Sequence, residues 1–523
     1  MNRCAGILMP VSSLPSRYGI GAFDAAAYAF VDFLEQAGQT YWQILPLSPP
    51  NHVKSKDTPY QSFSAFAGNP YFISLDALVE EGVLTREECD AAAFGDSETK
   101  IDYDLLYANR LPLLHKAYER SRIYENPAYQ TFIRDNAWWL NDYALFMACK
   151  AFFGDLEWSA WPEDISRHWD FAVDYYHRTL YYDVEFHKYT QFKFFQQWQA
   201  LKAYANAKHI GIIGDIAIYV SKDSADVWAH PELFQLDEHN EQTAVAGCPP
   251  DAFSADGQIW GTPLYRWDAH RDTGFGWWMA RLWMNFQRCD LLRIDHFRGL
   301  DEYFSIPAGS QTALNGHWEK GPGMALFHKM WESMGYKPVI VEDLGFMTDS
   351  VRQMVRETGF PNMKVLQFGF ERDDIGAAND YLPHNIPEHC VVYPGTHDND
   401  PINGWFRDLP EEDRQMIRDY FGCGDTERMH EVFVRAALMT RAETCIISLQ
   451  DWLGMGHEGR VNEPSHLENN WHWRVAGDLL TGALSETIFE ATRRYGRINW
   501  DSPEVQRSIR ERMEAAGKAQ TSD

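Results

Sequence analysis

Short runs of apolar and β-branched residues recur along the chain. They predict strands at Gly6–Met9, Tyr41–Leu45, Gly211–Ile216, Leu291–Ile294, Val339–Val341, Met363–Phe370, Cys390–Tyr393 and Cys445–Leu449. Between several of them the apolar period lengthens to that of an amphipathic helix. Asp24 can cap one in which Ala27, Phe30, Val31 and Leu34 share a face and Gly38 ends it. Met429, Val432, Phe433 and Ala436 repeat that spacing, and a third helix starts near Thr348 and Asp349 and stops at Gly359. Eight buried strands alternating with helices predict an α/β fold, a (β/α)8 TIM barrel, whose active site lies where strands end and loops begin.

The strands are unevenly spaced. Residues 46–210 separate the second from the third, too many for a loop, and carry helical patterns at Trp138–Phe153 and Glu185–Ala207. The expected organisation is therefore a first part of the barrel over residues 1–70 and an inserted, mostly helical subdomain over 71–205. Residues 206–523 complete the barrel, with long active-site loops and C-terminal helices. Ser221–Arg271 and Gly299–Gly323 read as loops that wall a substrate groove. Trp138, Trp139, Phe152 and Phe153 read as helical core. Tyr60 in TPYQS, Phe253 in PPDAFS and Trp260 in GQIWG sit among Pro and Gly, where loop aromatics could pack on the C–H faces of sugars.

Composition narrows the classes. At 523 residues and 45% hydrophobic content the chain can bury a large core. Its formal net charge of −28 repels phosphate backbones and anionic membranes, which argues against a nucleic-acid or membrane partner. Eight cysteines include no CxxC pair, and no run approaches the ~18 apolar residues of a membrane span. The apolar stretch of MNRCAGILMP is too short for a signal peptide, so a reducing cytoplasm is the expected location.

Three of the strand ends carry carboxylates: Asp295 in LLRIDHFRG, Glu342 in VIVEDLG and Asp398 in VVYPGTHDND. Glycosidic bond exchange needs two carboxyls across a sugar and a third group to steady the charged transition state. Residues two apart on a strand point the same way, so Arg293 and Asp295 project together, and the Arg is expected to keep Asp295 ionised. Glu342, flanked by Val339–Val341, is expected to stay protonated. Neutral His296 and His397 can hydrogen-bond sugar hydroxyls. A lone acid after a strand is commonly a cap or surface ion-pair member, but three at barrel-strand ends, two beside His, form a pattern. A metal reading of Asp295, His296, His397 and Asp398 lacks the His-x-His pair and bridging Lys of barrel metallohydrolases, so no metal or cofactor is expected.

Across nearly its full length the chain resembles the 4-α-glucanotransferases, also called amylomaltases or disproportionating enzymes, of the α-amylase superfamily. The resemblance rests on SSLPSRYGIG, PYQSFSAFAGNP, GDIAIYVSKDSADVW, GCPPDAFSADGQIWGTPLYRW, LLRIDHFRG, IVEDLG, YPGTHDND and NNWHWR. It departs from the family at Cys248, Ala252 and the RVNEPSHLENNWHWR segment. The resemblance implies Asp295 as nucleophile, Glu342 as general acid/base and Asp398 as transition-state stabiliser. It also implies sugar subsites lined by Tyr60, Asp215, Phe253, Trp260, Arg293, His296, Asp343, His397 and Asn462. The implied partners are malto-oligosaccharides and starch- or glycogen-derived α-1,4-glucans, with glucose as an acceptor. An α-amylase-like hydrolase and a glucan-binding protein without catalysis remain as alternatives, separated by whether maltotriose yields longer oligosaccharides, only shorter sugars, or nothing.

Overall fold

Alternation of side chains along eight short strands accounts for the architecture. In a computed structural model describing residues 3–52, 57–250, 256–345, 347–370, 378–464, 466 and 468–520, the strands are β1 (Cys4–Leu8), β2 (Tyr41–Gln43), β3 (Gly211–Ile216), β4 (Leu291–Ile294), β5 (Val339–Val341), β6 (Asn362–Val365), β7 (Cys390–Tyr393) and β8 (Thr444–Ser448). They close into one barrel in the order β1-β8-β7-β6-β5-β4-β3-β2, each neighbouring pair parallel. Leu8, Ile213, Ile340, Met363, Tyr393 and Ile446 fill the interior, while the alternate residues Ile7, Ile212 and Val341 pack outward. This is the (β/α)8 barrel expected from the pattern.

The helices follow their local signals. Asp24 accepts the Ala26 amide and starts Ala25–Gln36, and Gly38 follows its end at a φ of 66°. Thr348 caps Asp349–Thr358, which ends at left-handed Gly359. The helix predicted at Glu185–Ala207 is longer, Tyr181–Ala207, and Trp198 near its end donates to Arg288 O at 3.0 Å, fastening it to the barrel layer.

Several expectations need correction. The sixth strand stops at Val365 because the chain turns into a 3-10 helix, Leu366–Phe370; the eighth stops at Ser448, whose side chain caps Leu449–Leu453. In the helix Ala137–Phe152, Trp139 is buried, but Trp138 and Phe152 are about half exposed and are not core. The two segments read as long loops contain a second, antiparallel sheet. Its strands Gln258–Pro263, Ala244–Cys248, Glu302–Pro307 and His317–Lys320 lie in that order. They were illegible because glycine and polar side chains break their apolar pattern, as in AVAGC, QIWGTP, EYFSIP and HWEK. No helix among the described residues is long and apolar enough to cross a membrane.

Candidate active site

Register, more than spacing, assembles the site. Asp215 on β3 lies directly opposite Arg293 on β4, and both point into the barrel mouth. Arg293 Nη1 donates to Asp215 Oδ1 and Oδ2 at 2.8 Å each and sits 3.0 Å from Asp295 Oδ1. Tyr60 donates its hydroxyl proton to Asp215 Oδ2 at 2.7 Å. That hydroxyl lies 2.8 Å from His397 Nε2, so it accepts there, which assigns the proton of neutral His397 to Nε2. The Tyr60 and His397 rings stack, 5.5 Å apart and 8° from parallel.

Glu342 follows β5 with its carboxyl anchored by backbone. Oε2 accepts the His296 amide at 2.6 Å and Oε1 the Leu344 amide at 2.8 Å. His296 adopts a left-handed conformation, φ 45°, unusual for a non-glycine residue; that bend aims its amide back at Glu342. On the neighbouring loop, Asp398 accepts from Asn462 Nδ2 at 2.6 Å, with His397 Nε2 at 3.4 Å. The Asp398 side chain is 40% exposed, open to the cleft. The Trp260 ring meets His296 edge to face, 4.8 Å between centroids.

Burial sets the electrostatics. It pushes His296 down to about 3, with Arg298 adding to the effect, and lowers His397 as well, so both imidazoles are neutral as expected. Burial also raises Glu342, as expected for an acid. The expectation for Asp295 needs correction: its carboxyl, coupled to its neighbours, stands well above the ordinary range. Loss of water is the largest cause, and Arg293 opposes it incompletely because its charge is shared with Asp215.

The structure does not bring every named residue to the cleft. Asp343 points outward, as the residue after an inward Glu342 must, and its carboxylate accepts from Asn362 Nδ2 at 2.7 Å and the Met363 amide at 3.3 Å. Asn462 is engaged by Asp398. Trp260 stands on a strand of the second sheet, not in a loop. Phe253 lies outside the described residues. Trp471 was missed: its ring lies 5.8 Å from Tyr60 and 6.2 Å from His397, and the Trp-rich NNWHWR segment was its only signal. Among the described residues, Asp400, Asp408 and His457 are spaced closely enough to share a cation, but His457 already faces both carboxylates, with Nδ1 2.6 Å from Asp400 Oδ2.

A family model described as 4-alpha-glucanotransferase matches residues 9–481. The chain belongs to this family. The 4-alpha-glucanotransferase of Clostridium butyricum is 44% identical over 94% of this chain and 100% of its own, and that of Thermus thermophilus 44% identical over 94% and 99%. A solved structure of the amylomaltase from Streptococcus agalactiae, in complex with acarbose, superposes with a TM-score of 0.91 at 39% identity, covering 95% of this chain and all of that one. Membership of the 4-alpha-glucanotransferase family makes this chain a hexosyl-transferring enzyme with glucan substrates.

Proposed function

We propose that the chain transfers α-1,4-glucan segments between malto-oligosaccharides by retaining double displacement, with Asp295 as nucleophile, Glu342 as general acid/base and Asp398 as transition-state stabiliser. The observation that carries the reading is the shared cation: Arg293 touches Asp295, while Glu342 is held by two backbone amides on the adjacent strand end. Each Glu342 oxygen spends one lone pair on an amide and keeps another for a proton. Burial raises both carboxyls, so the pair takes up a proton readily; the reading puts that proton on Glu342 and leaves Asp295, 3.0 Å from Arg293, to act as the nucleophile.

Asp295 then attacks the anomeric carbon as Glu342 protonates the departing 4-oxygen, forming a covalent glycosyl-enzyme. Glu342, now a carboxylate, takes the proton from the 4-hydroxyl of a second glucan or glucose, which displaces Asp295. Asp398, open to the cleft, sets negative charge beside the oxocarbenium-like transition state. The substrates are malto-oligosaccharides and starch- or glycogen-derived α-1,4-glucans. A reducing cytoplasm is in keeping with buried free thiols at Cys89, Cys149, Cys289, Cys390 and Cys445.

Asp295→Asn nearly keeps the side chain's shape but cannot attack. Formation of longer oligosaccharides from maltotriose should fall at least about a hundredfold with the circular dichroism spectrum unchanged. Retention of more than about a tenth of the wild-type rate, with deamidation excluded by mass spectrometry, removes Asp295 from the role.

A further inference from the structure

The loop after β7, residues 394–401, carries His397 and Asp398 to the cleft. A narrow gap, with room for about one water, lies between Thr396, His397 and Asp400 and the residues Ser448, Gln450 and Asp451 after β8. Polar tethers help to hold the loop. Gln367 Nε2 reaches Asp400 O at 2.8 Å, and the Asn462 amide reaches His397 O at 3.1 Å.

Asp451 supplies the tether at the loop's far end. Its Oδ1 accepts the amide of Ile402, the first residue of the helix Ile402–Asp408 that follows the loop, at 2.9 Å. Pro401 ahead of that helix gives no side-chain cap, so Asp451 is a cap delivered from another helix, Leu449–Leu453. The carboxylate cannot drift. Oδ2 accepts the Ser448 hydroxyl at 2.8 Å, the Asp451 carbonyl lies 2.9 Å from His430 Nδ1, and the side chain is 2% exposed.

We infer that Asp451 is a positioning residue for Asp398, holding the β7 loop so that the Asp398 carboxylate meets the developing charge. The inference rests on the role proposed above for Asp398. Asp451 touches no substrate. Losing its acceptor leaves the Ile402 amide buried without a partner, a penalty that displacement of the loop leading into Ile402 relieves.

The test is a double-mutant cycle on kcat, measured as fluoride release from α-maltosyl fluoride with glucose as acceptor. Asp451→Ala should lower kcat about tenfold with KM changed less than about threefold, whereas in an Asp398→Asn background it should cost less than about twofold. Asp451→Asn keeps an acceptor for Ile402 and should stay within about threefold of wild type, which also guards against an unfolded alanine variant. Equal losses in both backgrounds, or no loss in either, overturn the inference. An Asp398→Asn enzyme as active as wild type overturns the Asp398 assignment itself and this inference with it.

Discussion

Arg293 carries one positive charge among Asp215, Asp295 and nearby Glu342, and it opposes only in part the rise that burial gives Asp295 and Glu342. Glu342 has a folded pKa raised chiefly by burial above its unfolded value of ~4.3. In the window between the two values the unfolded chain has released its proton while the folded site keeps one, so stability falls as pH rises through that window. Glu342→Gln removes the titration. The gap in melting temperature between wild type and Glu342→Gln should therefore shift against the wild type as pH rises above ~4.3; a gap independent of pH would refute the raised pKa. The amide facing a backbone N–H adds an offset, but one that does not titrate. Of these relations the Arg293–Asp295 pair was legible in the sequence, because residues two apart on a strand share a face. The Asp215–Arg293 pairing and the His296 amide on Glu342 were not, since one needs strand register and the other a left-handed turn at a non-glycine residue.

The barrel strands declare themselves by compact apolar runs, and the strands of the second sheet, mixed with glycine and polar side chains, do not. Four barrel strands, Gly211–Ile216, Leu291–Ile294, Val339–Val341 and Cys390–Tyr393, have the bounds their apolar runs predict, and Asp295, Glu342 and Pro394 close the last three. The four-stranded sheet beside the cleft was read as loop, and it changes what Trp260 is: a side chain fixed on the strand Gln258–Pro263, its ring set against His296 immediately after Asp295. A rigid aromatic there can hold an acceptor sugar in place of water, which lowers the transfer barrier without equally helping hydrolysis. Trp260→Ala should reduce disproportionation of maltotriose more than it reduces glucose release by hydrolysis, measured together by chromatography. Parallel losses would mean that Trp260 serves the donor or the fold and not the choice of acceptor.

For the molecule as a whole, the two ends of the barrel divide the work. Carboxylates gather at the C-terminal ends of the strands, while the opposite end is closed by a segment from far along the chain. Arg497 is fully buried there: Nε donates to Leu438 O at 2.9 Å, and Nη1 reaches Cys4 O at 3.2 Å and Glu443 O at 3.4 Å. Nη2 donates to Thr440 O at 3.0 Å, and Asn499 Nδ2 bridges Gln39 O and His209 O at 3.1 and 2.8 Å. Together they join the starts of β1, β2, β3 and β8, contacts hundreds of residues apart that no local pattern foretells. Arg497→Ala would delete this set of buried hydrogen bonds and leave a void in their place, a loss of about 3 kcal/mol or more. In a chain of this size that loss is read best as a rate. The half-life at a fixed elevated temperature should shorten several-fold while KM and kcat for maltotriose at low temperature stay unchanged. A variant that inactivates at the wild-type rate would show that this clasp does not limit unfolding, and one with altered KM would show that the far end of the barrel is coupled to the site.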